Sequence, residues 1–176
     1  MMSLDGYFEG LNKEIDWHNV DADFNDFAIE QLNNASFLVF GRITYELMAN
    51  YWSSDSAIKD EPLVAGKMNS IPKIVFSKSL LKADWENTQL VKGDVQAMLR
   101  TLRKKAEKDI FIFGSADLAT SLITQDLIDE YRIMINPVIL GQGNTLFKNL
   151  PERKKLTLIR SMTFRSGNVL LFYKAN

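Results

Sequence analysis

The chain has 176 residues, 46% of them hydrophobic and 24% charged, and its 21 basic and 22 acidic residues leave a net charge of -1. This composition excludes a mainly disordered chain, and the near balance of charge argues against a nucleic-acid partner. The absence of cysteine and the single histidine, His18, exclude disulfides and argue against a metal site. No apolar run could span a membrane and no signal peptide opens the chain, so a cytoplasmic protein that handles a small molecule is expected.

Strands and helices alternate along the chain. In the first half the pattern predicts a helix over 21–33, a strand over 36–40, a helix over 43–51, a loop that could contain a short helix over 52–70, and strands over 73–77 and 89–91. In the second half it predicts a helix over 94–105, a strand over 109–113, a helix over 116–125, a strand over 130–138, and a hairpin of 156–164 and 168–173. This order predicts a single α/β domain over 1–176, with a mostly parallel central sheet, flanking helices and a C-terminal antiparallel hairpin.

Three strand ends carry residues that suit a phosphate. Two of them, Gly41-Arg42-Ile43-Thr44 and Gly114-Ser115-Ala116, share the order of strand, glycine and helix start. The first N–H groups of a helix lack partners and the dipole adds positive charge there, while glycine lets a phosphate approach the backbone. The third end, Ser77-Lys78-Ser79, adds hydroxyls and a cation. Each is more often an ordinary turn or polar strand end when alone, but ligands bind where parallel strands end together.

Other motifs point less clearly to chemistry. The chain contains neither a P-loop nor the Gly-x-Gly-x-x-Gly dinucleotide fingerprint. Gly141-Gln142-Gly143 favours a tight turn over a binding loop. Among the titratable groups near the start, Asp5, Asp16 and Asp23 are each more often solvated caps than catalytic acids, and His18 beside Trp17 favours a structural hydrogen bond.

The ordered motifs together resemble a known superfamily. They are Ser3-Leu4-Asp5-Gly6, Ile15-Asp16-Trp17, Phe40-Gly41-Arg42-Ile43-Thr44-Tyr45-Glu46, Phe113-Gly114-Ser115-Ala116-Asp117-Leu118, Leu127-Ile128-Asp129-Glu130-Tyr131 and Pro137-Val138-Ile139-Leu140-Gly141-Gln142-Gly143. The set resembles the dihydrofolate reductase-like superfamily, and most closely the reductase domain of the riboflavin-biosynthesis deaminase-reductase and its stand-alone bacterial relatives.

The resemblance implies NADPH bound across the strand ends of a sheet flanked by helices. By position it assigns three groups of residues: Gly41, Arg42 and Thr44 to a cofactor phosphate, Ser77 and Lys78 to the adenosine end, and Gly114 and Ser115 to the diphosphate. Asp5 matches the loop near the nicotinamide, and Asp23 falls about one residue from the place of a substrate-orienting acid; these two are the predicted catalytic residues. The family's C-terminal strands often build a dimer, so a homodimer is expected.

Two departures from the family pattern carry expectations. Ile112 and Phe113 stand where the riboflavin enzymes have a substrate-contacting acid, which disfavours the riboflavin intermediate as substrate. Only Met1 and Met2 precede the segment into which the family's first strand runs. The first strand is therefore expected to be truncated, with a vacancy between the strands over 36–40 and 109–113.

These observations favour an NADPH-dependent reductase that transfers a hydride to a C=N or C=O carbon of a small substrate, which could be heterocyclic. The proton could come from Asp5, Asp23 or water. A catalytically silent nucleotide-binding sensor or scaffold is one alternative, and folate reduction is another, disfavoured by the spacing around Asp23. Because Arg42 and Lys78 are cations with no acid beside them in the two strand-end motifs, we expect a preference for NADPH over NADH of about tenfold or more.

Overall fold

A computed structural model of the chain describes residues 1–114 and 116–176. Its helices lie at Ala22–Asn33 (α1), Arg42–Trp52 (α2), Asp55–Asp60 (α3), Pro62–Ser70 (α4), Val95–Lys105 (α5) and Ala116–Thr124 (α6). Its strands lie at Tyr7–Glu9 (β1), Ala35–Gly41 (β2), Lys73–Phe76 (β3), Thr88–Val91 (β4), Asp109–Phe113 (β5), Glu130–Ile135 (β6), Asn144–Thr145 (β7), Leu156–Thr163 (β8) and Val169–Ala175 (β9). No helix in the described ranges is both long and apolar enough to cross a bilayer.

The contacts divide the chain into two units. The parallel-sheet unit comprises Asn25–Leu118, and the antiparallel-sheet unit joins Met1–Phe24 to Ala119–Asn176. In the parallel-sheet unit the strand order is β4-β3-β2-β5, and all the pairings are parallel. In the antiparallel-sheet unit β9 lies between β6 and β8 and pairs with both in the antiparallel sense. The predicted α/β fold, with parallel strands and a C-terminal antiparallel hairpin, is confirmed.

The core of the parallel-sheet unit contains a lysine. Every residue of β3 is buried, including Lys73, whose side chain ends beneath the carboxyl end of α4. Its ammonium donates hydrogen bonds to the backbone carbonyls of Met68 at 2.8 Å and of Asn69 and Ile71 at 2.9 Å. It also lies 4.6 Å from the ring centroid of Trp85. The cation thus supplies donors to carbonyls that a helix end leaves without intrahelical partners.

The expected vacancy between the strands over 36–40 and 109–113 is wrong. β2 and β5 are paired directly, with Phe40 opposite Phe113 and their rings stacked 5.8 Å apart. The N-terminal residues lie against β6 instead: the Met2 N–H donates to Met134 and the Met2 carbonyl accepts from Asn136, each at 2.7 Å. Apolar runs on both strands suit several strand orders, and the hydrophobic pattern alone does not choose among them.

The segment over 52–70 is more ordered than a loop with a short helix. It contains α3 and α4, and the Ser54 hydroxyl caps α3 by accepting from the Ala57 N–H at 3.2 Å. Pro62 begins α4, a position in which its missing N–H and fixed φ cost the helix nothing. The sequence pattern did not separate α3 from α4, because both helices are short and bury few residues, which leaves little helical periodicity.

The antiparallel-sheet unit has an exposed edge. The hairpin predicted around Arg165-Ser166-Gly167 joins β8 to β9, as expected. β8 is the outer strand, and Leu158 and Ile159 on it are 51% and 52% exposed. The short pairing of β1 with β7 was not predicted, because two- and three-residue strands carry too little periodicity to be recognised.

Candidate functional site

The three predicted cofactor segments meet at one edge of the parallel sheet. β3, β2 and β5 are neighbours and run in the same direction, so their carboxyl ends lie side by side. Gly41 is opposite Phe76, the residue before Ser77, and Phe40 is opposite Phe113, the residue before Gly114. Ser115, the remaining predicted residue of this set, lies outside the described residues.

The segments that follow β2 and β5 lie close together. Gly114 is exposed and has φ +56°, a left-handed backbone that favours glycine. A Cβ at this position would lie 3.1 Å from Oγ1 of Thr44. The missing side chain therefore leaves a small recess beside the Thr44 hydroxyl, in which a ligand could approach the backbone closely.

Positive charge is concentrated at the amino end of α2. Gly41 is the N-cap, with extended φ -82° and ψ 164°, and has no side chain with which to cap the first N–H groups. Arg42 opens the helix, although a cation is unfavourable beside the positive end of the helix dipole. N–H groups that no cap side chain bonds among the described residues, a helix dipole and a guanidinium suit an anion, so these residues fit a phosphate-bearing cofactor.

Arg42 has an acidic neighbour. Its Nη1 lies 2.8 Å from Oε2 of Glu46, and the two side chains are 40% and 45% exposed. The expectation that no acid stands beside Arg42 is therefore wrong, because residues four apart lie on the same face of a helix. The spacing was visible in the sequence and could have predicted this pair.

The Ser77–Lys78 segment forms a turn. The Ser77 hydroxyl accepts from the N–H groups of Ser79 at 3.2 Å and Leu80 at 2.9 Å, so its oxygen is already used as an acceptor. Its Oγ also lies 3.5 Å from Oγ of Ser79, a contact in which either hydroxyl can donate. Lys78 is exposed and forms no ion pair within the part of the chain that the structure describes. Lys78 is therefore a cation that a bound anion could use.

Asp5, the first predicted catalytic residue, anchors a loop. Its carboxylate accepts hydrogen bonds from the N–H groups of Leu140 at 3.1 Å and Gly141 at 2.7 Å. A hydrogen bond from the Ser3 side chain, together with these two, holds the pKa of Asp5 below its usual value. Gly141 has φ +76°, as the predicted tight turn requires. Asp5 thus ties the N-terminal segment to the turn after β6.

Asp23, the second predicted catalytic residue, is held by an arginine. Its Oδ2 accepts from Nε of Arg165 at 2.8 Å, and its Oδ1 accepts from Nη2 of the same guanidinium. Hydrogen bonding to Arg165 lowers the pKa of Asp23, so the carboxylate stays ionised at neutral pH. The helix cap is Asp21, which accepts from the Phe24 N–H at 2.8 Å.

Neither acid is therefore poised to donate a proton at neutral pH, and their catalytic roles stay predictions. Sequence reasoning missed Arg165, which lies 142 residues from Asp23 along the chain and has no local signal. His18 is no better as a proton carrier, because burial lowers its pKa to about 4. Its ring packs edge-on against Trp17, with 4.5 Å between the centroids.

Comparison with protein families agrees with this architecture. The family model of the RibD C-terminal domain matches residues 1–170. The chain belongs to the RibD C-terminal domain family. The family resemblance inferred from the sequence motifs is thus confirmed, and membership identifies a reductase-like domain.

Relatives of this RibD C-terminal domain span nearly its whole length. The uncharacterized protein YyaP of Bacillus subtilis strain 168 is 33% identical over 177 residues, which cover 99% of this chain and 92% of YyaP. The crystal structure of a candidate riboflavin biosynthesis protein from Shewanella sp. PV-4 is 25% identical with a TM-score of 0.77, covering 99% of this chain and 95% of that one.

A third relative shares the fold alone. The deaminase/5-amino-6-(5-phosphoribosylamino)uracil reductase of Thermotoga maritima is 14% identical with a TM-score of 0.70. The match covers 99% of this chain and 54% of the Thermotoga chain. The RibD C-terminal domain described here thus corresponds in fold to about half of that protein.

Proposed function

We propose that this protein is an NADPH-dependent reductase that transfers a hydride to a C=N or C=O carbon of a small substrate, which could be heterocyclic. The observation that carries the proposal is the meeting of Gly41, Arg42 and Gly114 at adjacent strand ends, in a chain of the RibD C-terminal domain family. Reductase domains of this family depend on NADPH. When bound, NADPH supplies the hydride.

The residues at the carboxyl edge of the parallel sheet would hold the cofactor. Arg42 binds the phosphate that distinguishes NADPH from NADH, the uncapped N–H groups of α2 bind other phosphate oxygens, and the recess at Gly114 beside Thr44 lets the diphosphate approach the backbone. Ser77 and Lys78 bind the adenosine end, with the Ser77 hydroxyl as donor and Lys78 as a point charge. The cytoplasm is the compartment that we propose for this reaction, because NADPH is available there.

Water is the proton source that we propose for the reduced product. Asp5 and Asp23 are both held ionised at neutral pH by the hydrogen bonds that they accept. A carboxylate in that state orients donors and does not release a proton. Of the three proton sources that the sequence suggested, only water remains. Asp5 and Asp23 are then positioning residues.

The nucleotide preference tests the cofactor assignment. We expect NADPH to bind about tenfold or more tightly than NADH at low salt, because the extra phosphate is an anion and Arg42 and Lys78 are cations at this edge. Lys78→Ala should erode that preference and leave NADH affinity unchanged, while Lys105→Ala, which removes an exposed cation at the carboxyl end of α5, should change neither. Isothermal titration calorimetry measures the affinities for NADPH and NADH at low and at high salt. The preference for NADPH should be weaker at high salt, because salt screens the exposed charges.

The outcomes separate the three functions. Failure of both nucleotides to bind would overturn the proposed function. Equal affinities for NADPH and NADH would show that Arg42 and Lys78 do not contact the extra phosphate. Loss of NADPH absorbance with a carbonyl or imine substrate is the result expected of the reductase. Binding without turnover on any such substrate would favour the sensor, and consumption with dihydrofolate alone would favour the folate alternative.

We also propose that the protein is a homodimer through β8. β8 is an edge strand on which Leu156, Leu158 and Ile159 are exposed, and its register shifts between Leu158 and Arg160. A second copy that pairs its own β8 would cover these side chains and complete the backbone hydrogen bonds of the edge.

The mass in solution tests the dimer. We expect the native protein to have twice the monomer mass in sedimentation equilibrium at micromolar concentration, and Ile159→Lys to shift it to monomer, because a buried unpaired ammonium is costly at an interface. Leu81→Lys is the control, since Leu81 is 90% exposed in the other unit. A native monomer, or a control that dissociates equally, would contradict the β8 interface.

A further inference from the structure

The pairing of Arg42 with Glu46 has a consequence for any anion at the amino end of α2. Arg42 precedes its acidic partner along the helix, which is the less favourable order for an ion pair four residues apart. Both side chains are close to half exposed, so the contact is a weak and exchangeable one. The pair therefore restrains the Arg42 guanidinium little, whereas the negative charge of Glu46 remains beside the anion site.

The Glu46 carboxylate also has room to leave its partner. Glu46 lines an open groove of about 700 Å³ together with Asn50, Lys82 and the acids Asp84 and Glu86, and Lys82 is paired with Asp84. An incoming phosphate can thus take the Arg42 guanidinium while the carboxylate turns toward the groove and solvent. A phosphate suits the guanidinium as well as a carboxylate does, because both offer paired oxygens to its fork.

Resting on the proposed function, we propose that Glu46 is a specificity-determining residue that competes with the cofactor phosphate for Arg42. Its carboxylate neutralises the guanidinium in the free protein and must be displaced by a nucleotide that carries the extra phosphate. A nucleotide without that phosphate leaves the pair intact. Glu46 therefore sets the preference for NADPH below the value that Arg42 and Lys78 would otherwise produce.

Glu46→Gln tests this role by removing the charge and keeping the shape. We expect NADP⁺ to bind about three- to tenfold more tightly to the variant, because a neutral amide does not compete with the phosphate for the Arg42 guanidinium. NAD⁺ affinity should stay within about twofold, since the pair survives when no such phosphate arrives. Calorimetric titration of both nucleotides at low salt gives the two constants without any turnover.

Two further variants make the result decisive. Glu107→Gln removes the same charge just before β5, at the opposite edge of the sheet from Gly114, and should change neither affinity. In an Arg42→Ala background, Glu46→Gln should no longer improve NADP⁺ binding, because the competition needs the guanidinium.

Each remaining outcome overturns a stated claim. Unchanged or weaker NADP⁺ binding to Glu46→Gln would overturn the competition and assign Glu46 to orienting Arg42. If Glu46→Gln still tightens NADP⁺ binding in the Arg42→Ala background, Glu46 acts by repelling the phosphate and does not compete for Arg42. Absence of nucleotide binding by the native protein would instead overturn the proposed function, so the two failures are distinguishable.

Discussion

Lys73→Met should lower the free energy of unfolding by about 2–5 kcal/mol, the largest stability effect we expect of a single substitution here. Methionine matches the length of the lysine stem but cannot donate, so the Met68 and Ile71 carbonyls would lose the donor that they share. For a chain of this size the melting temperature should fall by roughly 5–15 °C. Urea unfolding and differential scanning calorimetry measure the two quantities.

Lys59→Met is the matched control, because Lys59 is exposed in the neighbouring helix α3. It should change the stability by no more than about 0.5 kcal/mol. Equal losses in the two variants would show that the carbonyl contacts of Lys73 are not what stabilises the core.

The effect of Lys73→Met should also depend on pH. Burial lowers the pKa of Lys73 to about 8 from its ordinary value of 10.5. Between these values the unfolded chain binds more protons than the folded one at this site, so the contribution of Lys73 to stability rises with pH. The gap between the native protein and the variant should therefore widen from pH 8 to pH 10.5. A gap that narrows across this window would mean that the folded pKa is not lowered.

Arg42→Ala should weaken NADPH binding by about ten- to a hundredfold, the range expected for losing roughly 1.5–3 kcal/mol of hydrogen bonding to a charged group. The melting temperature should barely move, because the Arg42 side chain is 40% exposed and its pair with Glu46 is a surface contact. Calorimetric titration with NADPH and a thermal melt of the free protein separate binding from stability.

Arg100→Ala removes an exposed guanidinium from α5 and should leave NADPH affinity unchanged. If Arg42→Ala behaves like this control, Arg42 is not part of the cofactor site. If both variants lose affinity equally, the nucleotide responds only to the general charge of the unit.

Local patterns were sufficient for most helices and strands. The strand over 109–113 has the same bounds as β5, and the Asp94 side chain caps α5 by accepting from Gln96 at 2.8 Å and Ala97 at 3.3 Å. Such features depend on side chains within a few residues of one another, so they are encoded locally. The same holds for the Arg42–Glu46 pair, which the four-residue spacing could have predicted.

The order of the strands was not encoded locally. β2 and β5 are both apolar runs, and nothing in either run states that Phe40 will lie opposite Phe113 with no strand between them. The family resemblance assigned the three strand-end segments to one cofactor, but the expected vacancy put the ends of β2 and β5 one strand too far apart. Pairing depends on which buried faces fit together, and that is a property of the assembled sheet.

The sequence by itself determined the α/β class, the family and the three strand-end segments, because these follow from periodicity, glycine positions and ordered motifs. The tertiary structure alone decided the state of the two predicted acids. Asp23 meets Arg165 across 142 residues, and Asp5 meets the N–H groups of Leu140 and Gly141 from the other end of the chain. Whether a carboxylate is a proton donor or an ionised anchor depends on such partners, since hydrogen bonds to the charged form lower its pKa. Those partners exist only once distant parts of the chain have folded together.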